Sequence, residues 1–217
     1  MKRLSEQFQS TQDRFKEEMP ALRKSIRFLA TCGWTIPTGS TPYETRQIAK
    51  LKNPDEIEAY FVQYYAANDG AELSRVRDNL LKNEKLDRWH NLIDQCFSSY
   101  NDKRYLVVVP SLITIITGLL AALQGRFQQT SDEKRFVSER RKQTETASFE
   151  EILLFSVDDY VAELFKKSHF SDSEPPFLNR HWILKGRSAT EWKQADCLKL
   201  FQCIDTICMV FRQDKTE

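Results

Sequence analysis

The stretch that decides the fold is YLVVVPSLITIITGLLAAL, residues 105–123. It carries no charge from end to end, and its length approaches the roughly 20 apolar residues that cross a bilayer. Pro110, Ser111, Thr114, Thr117 and Gly118 interrupt it, and the chain holds no second segment of this kind. A lone helix that is apolar on nearly all sides belongs in the middle of a helical bundle rather than in a membrane. Pro110 fits the first turn of such a helix, where its missing N–H costs nothing.

The flanking sequence supports that reading. Residues 2–30 have helical periodicity, with Leu4, Phe8, Phe15, Leu22, Ile26 and Leu29 as candidate buried positions. Pro20 is expected to kink or divide this stretch. TCGWTIPTGSTPY, residues 31–43, is the clearest irregular connector. Asn53-Pro54 opens a helix with Asp55 and Glu56 in its first turn, and Asn68-Asp69-Gly70 breaks it. Further helices are expected near 71–82 and 85–99, and Tyr100-Asn101-Asp102 turns into the apolar segment. Ser148 and Glu151 have the spacing of a capping box. A last helix is expected from about Thr190, with Trp192, Ala195, Leu198, Phe201, Ile204, Ile207, Cys208 and Phe211 on one face. No strand alternation and no internal repeat is visible. The expectation is an all-α protein: a helical bundle of about six to nine helices around residues 105–123. Residues 1–50 form an N-terminal helical extension and connector, and residues 51–217 the bundle.

Composition narrows the functional classes. The 217 residues suit one domain, and 41% apolar with 29% charged residues is ordinary for a soluble protein. A net charge of +1 gives no whole-molecule attraction to nucleic acid, so any such attraction must be local. The five cysteines are odd in number and include no CxxC pair, so they are expected to be reduced thiols in the cytoplasm. The first 19 residues are charged throughout, unlike a signal peptide. No phosphate-binding glycine loop, GxSxG, HExxH or paired-carboxylate motif occurs, and no metal, cofactor or membrane is expected. His90 and His169 stand alone and are expected in surface or packing roles.

Two polar stretches are candidates for function. QQTSDEKRFVSERRKQTETA, residues 128–147, is locally basic through Lys134, Arg135, Arg140, Arg141 and Lys142, offset by four acidic residues. It is either a solvated helix or an RNA-contacting arm, with Arg140 and Arg141 as candidate contacts. FLNRHWILKGRSATEW, residues 177–192, crowds Arg180, His181, Lys185 and Arg187 together. Asn179 is a good N-cap and Gly186 a natural stop, so the helix between them is short. His181 and Lys185, four apart, share its face. Cations at a helix N-terminus oppose the macrodipole at about 0.3–1 kcal/mol each, a penalty that a phosphate would relieve. The cluster is therefore either a phosphate site or a solvated, salt-bridged face.

NRHWILKGRSATEWKQADCLKLFQCIDTI, residues 179–207, resembles the C-terminal signature of certain HEPN-superfamily proteins, all-helical proteins of bacterial defence and toxin systems. In those relatives the segment reads roughly Asn-Arg-His-x-Ile-Leu-His-Gly, before a last helix whose core is matched by LKLFQCID, residues 198–205. YNDKRYLVVVPSLITIITGLL, residues 100–120, is similar to the family's helix in which a Tyr, a Pro and a Gly recur. The resemblance covers about residues 85–210. It implies a metal-independent RNA endonuclease motif, in which Arg180 holds phosphate and a histidine moves a proton, often where two copies meet. Here Lys185 stands where the family has that histidine, and Thr117 stands where relatives often have an acidic residue before the Gly. A lysine at its reference pKa of about 10.4 is a poor base at neutral pH. His181 is the remaining imidazole. Repulsion from Arg180 and Lys185 would favour its neutral form, leaving those two cations to hold phosphate. The resemblance thus implies a degenerate, impaired or altered ribonuclease that binds RNA or a cognate defence-system or antitoxin protein, as a homodimer. The alternative is a helical assembly module without nuclease activity or an RNA role.

Overall fold

The computed structural model describes residues 2–125, 132–144, 148–169, 171–189 and 191–212, with side chains from Glu17 onward. Among these residues the chain is all-α. Its helices are α1 (Lys2–Thr31), α2 (Pro42–Ile48), α3 (Pro54–Leu81), a 3-10 turn (Glu84–Trp89), α4 (His90–Asn101), α5 (Tyr105–Leu123), α6 (Glu133–Gln143), α7 (Phe149–Leu164), α8 (Arg180–Leu184) and α9 (Gln194–Val210).

Local signals explain most boundaries. Asn53 caps α3 through the Asp55 N–H, and the Ser148 hydroxyl accepts from the Glu151 N–H at the start of α7. The expected break in α3 is present: Asn68, Asp69 and Gly70 have φ of +52°, +55° and +76°, so two helices meet there at a left-handed kink. Pro20, by contrast, lies within one continuous α1. Pro110 lies a turn deeper than expected, because α5 begins at Tyr105. The start of α9 is at Gln194, capped at Lys193; Thr190 lies outside the described residues.

Helix α5 packs on α4 and α9 with Val108, Val109, Leu112, Ile113, Ile115, Ile116, Leu119 and Leu120 buried. Among the described residues it is the one helix long and apolar enough to span a membrane. It shares the centre with α9, which touches α3, α5 and α7 and is buried at every position from Ala195 to Val210 except Asp196 and Met209. Residues 19–49 belong to the same core cluster as the rest of the bundle, since α1 lies on α7 and the connector after it is buried at Trp34, Thr35 and Ile36.

That connector is held by polar bonds rather than regular structure. The Ile36 N–H donates to Ser156 Oγ at 2.7 Å, and Gln202 Nε2 donates to the Thr35 carbonyl. Thr206 Oγ1 donates to the Ile36 carbonyl at 3.2 Å, and the Tyr65 hydroxyl donates to Gln202 Oε1 at 2.8 Å. Backbone groups in a buried loop need such partners. Gln202 and Thr206 are therefore buried on α9, where its apolar face alone would not place them; Lys199 and Asp205 are buried there too, on side-chain partners that include Glu58 and Thr38.

Gly118 marks a close approach. A Cβ there would sit 2.5 Å from Cζ2 of Trp89. Gly118→Ala must displace a ring wedged between α5 and the 3-10 turn, and overpacking of this kind typically costs about 1–3 kcal/mol. Urea unfolding of the variant should show that loss, and an unchanged midpoint would mean that Trp89 can move freely.

The cysteines are free thiols, with Cys96, Cys197, Cys203 and Cys208 buried. Burial pushes the thiols of Cys96 to about 11 and of Cys197 and Cys208 to about 12.

Candidate functional site

The site forms where α8 meets the start of α6. Asn179 sets the position of α8. Its Oδ1 accepts from the N–H groups of His181 (3.0 Å) and Trp182 (3.2 Å), and its Nδ2 donates to the Lys166 carbonyl at 2.9 Å. The cap thus uses the N–H groups that an anion at the helix end would need, so any anion here must be held by side chains. Trp182 and Ile183 are buried and anchor the turn, and Trp182 Nε1 donates to Ser168 Oγ at 2.6 Å. Gly186, at φ +65°, ends it.

Arg180 is anchored in two ways. Its Nη1 lies 3.2 Å from Glu133 Oε1, and its guanidinium carbon lies 4.7 Å from the centroid of the Phe165 ring. Glu133 is buried on the first turn of α6, while a quarter of the Arg180 side chain remains accessible. His181 is half-buried beside it. Burial, then Arg180, Lys185 and Lys134, lower its pKa below the usual histidine value, and Glu133 opposes them. The direction agrees with the sequence argument, although burial rather than repulsion is the largest cause. Lys185 is exposed at the C-cap of α8. The cluster is thus Arg180, His181 and Lys185 from α8 with Glu133 and Lys134 from α6.

The other candidate contacts lie elsewhere. Arg187 stacks on the Trp182 ring at 3.8 Å and donates to the His169 carbonyl at 2.9 Å, which ties down the chain after α8. Arg140 pairs with Glu150 at 3.1 Å. Arg141 pairs with Asp158 at 2.5 Å and lies 4.6 Å from the Phe155 ring, where Arg23 also stacks at 4.5 Å. Arg140 and Arg141 therefore fasten α6 to α7. Thr117, where the sequence resemblance leads one to expect an acid, donates to its own helix at the Ile113 carbonyl (2.8 Å). The carboxylate beside Arg180 comes instead from Glu133, 47 residues away in sequence. Sequence reading missed Glu133 and Phe165, and the acid at 133 registered only as an offset to local positive charge.

A cleft of about 250 Å³ opens on the other side of α8, among Phe177, Trp182 and Trp192, with Glu174, Glu191 and Asp196 on its walls. Those carboxylates repel a phosphate backbone, so the anion-attracting side of α8 is the one that faces α6. Among the described residues no group of three or more His, Cys, Asp or Glu side chains is arranged to hold a metal ion. No family model matches the chain, and no curated protein or solved structure is significantly similar to it.

Proposed function

We propose that the chain is an HEPN-like protein of a bacterial defence or toxin system that acts in the cytoplasm. It engages RNA through Arg180, His181 and Lys185, with a metal-independent endonuclease motif that is degenerate at Lys185. The observation that carries this reading is the single cluster in which a half-buried, neutral-leaning His181 sits among Arg180, Lys185 and Lys134. In such a cluster the cations hold a phosphate, and the imidazole accepts a proton from the adjacent 2′-hydroxyl. Lysine at 185 supplies charge but lacks the imidazole that proton transfer near neutral pH uses. The wild-type protein therefore binds RNA with little cleavage. A second copy is its proposed partner, since Leu106, Val107 and Leu184 present exposed apolar side chains on the contacting helices α5 and α8.

The second reading is an assembly module with no RNA role. It is favoured by Arg140 and Arg141, whose charge is already met by Glu150 and Asp158. Labelled total RNA, incubated with chelator, separates the two. Lys185→His is expected to cut at least about 100-fold faster than wild type, the low end for one general acid–base group. His181→Ala is expected to bind RNA without cutting. If neither wild type nor Lys185→His binds or cuts RNA, the assembly reading replaces this one.

A further inference from the structure

We infer that Glu133 is a built-in competitor for the anion site: its carboxylate occupies Arg180 in the free protein, and an RNA phosphate must displace it. The inference rests on the proposed RNA reading, because it takes Arg180 as the phosphate contact. It goes further by making the Glu133 side chain a gate on that contact.

Three observations carry it. First, the Glu133 carboxylate is already on the guanidinium, at 3.2 Å, and both groups are mostly shielded from solvent. A carboxylate and a phosphate oxygen ask for the same donors on that fork. Second, Phe165 fixes one face of the guanidinium at 4.7 Å, so Arg180 has little freedom to serve two anions by turning away. Third, α6 is fastened largely by ion pairs. Glu133 holds Arg180 at its start, and Arg140–Glu150 and Arg141–Asp158 hold its end. Its apolar contribution to the core is Val137, with Phe136 stacked on Phe211 at 5.0 Å. A helix held in this way can yield one ionic contact without losing its place. When Glu133 leaves, Lys134 stays at the cluster and adds its charge to the site, so one movement removes an anion from Arg180 and leaves the cations for the incoming phosphate.

The test uses a fluorescein-labelled single-stranded RNA oligonucleotide, chelator present, and anisotropy titrations of the full chain at two salt concentrations. Glu133→Gln is expected to bind about five-fold tighter than wild type or more, the scale of one partly shielded ion pair. Glu139→Gln, which removes the same charge from an exposed pair with Arg135, should stay within about two-fold of wild type. Glu133→Asp keeps the charge but shortens the reach, and it too is expected to bind tighter; it also serves if Glu133→Gln does not fold. In an Arg180→Met background the gain from Glu133→Gln should vanish. If Arg180→Met alone weakens binding but both Glu133 variants bind as wild type does, the competitor idea is overturned and the RNA reading stands. If wild type and Arg180→Met bind equally, Arg180 is not a phosphate contact and the competitor falls while RNA binding stands; if wild type, Arg180→Met and Glu133→Gln all fail to bind, the RNA reading falls and takes the competitor with it.

Discussion

Trp34→Ala should lower stability by about 3–5 kcal/mol, the typical loss for a fully buried tryptophan. Trp34 is 0% exposed although it lies in an irregular connector. Its ring stacks on Phe61 of α3, with centroids 4.4 Å apart and planes 19° apart, and Lys199 Nζ lies 5.6 Å from its centroid. Truncation leaves a void bounded by α3 and α9, neither of which can close on it without breaking the polar bonds of the adjacent residues. For a chain of this size the loss corresponds to a fall in Tm of roughly 6–20 °C. Trp34→Phe should recover most of it, because the indole N–H is buried without a hydrogen-bond partner and the stacking surface is retained. Calorimetry of both variants checks this. A loss under about 1 kcal/mol for the alanine variant would mean that the connector is not part of the core.

Asp205→Ala should be the second large effect, at about 3 kcal/mol. Asp205 is buried on α9 and accepts from Thr38 Oγ1 (2.5 Å), Asn79 Nδ2 (3.2 Å) and Arg75 Nη2 (3.4 Å). Thr38 is half-buried and Asn79 exposed, so each donor left without its acceptor costs about 1 kcal/mol, the low end of the penalty. Arg75 contributes least, since Glu72 still accepts from it. Guanidinium unfolding of Asp205→Ala, Thr38→Val and the double variant supplies the check. The double variant should lose less than the sum of the singles, because both substitutions break the same bond. Strict additivity would mean that the Thr38–Asp205 bond carries no energy.

These two residues also show where the sequence was legible. Signals that act within a few residues were readable: the Asn179 cap, the Gly186 stop, the left-handed run at 68–70 and the apolar length of α5. The bundle followed from them. What sequence alone did not reveal is set by partners far along the chain. Gln202 and Asp205 look like the solvent face of an amphipathic helix until Thr35, Thr38 and Asn79 are brought over them. At the candidate site, Arg180, His181 and Lys185 were visible because helical spacing joins them. Glu133 was not, because no periodicity links positions 47 residues apart.

The connector's bonds to α9 have a consequence during synthesis. Thr35 and Gln202 are 167 residues apart. At a translation rate of about 5–20 residues per second, Thr35 waits roughly 10–30 s on the ribosome before its partner exists. Until then α3, α5 and, once it is made, α7 lack the helix that fills the space between them, so their apolar faces stay open to solvent, chaperones and one another. A message cut short anywhere before residue 194 therefore yields a sticky chain rather than a smaller working protein, and the cell's proteases are its expected destination.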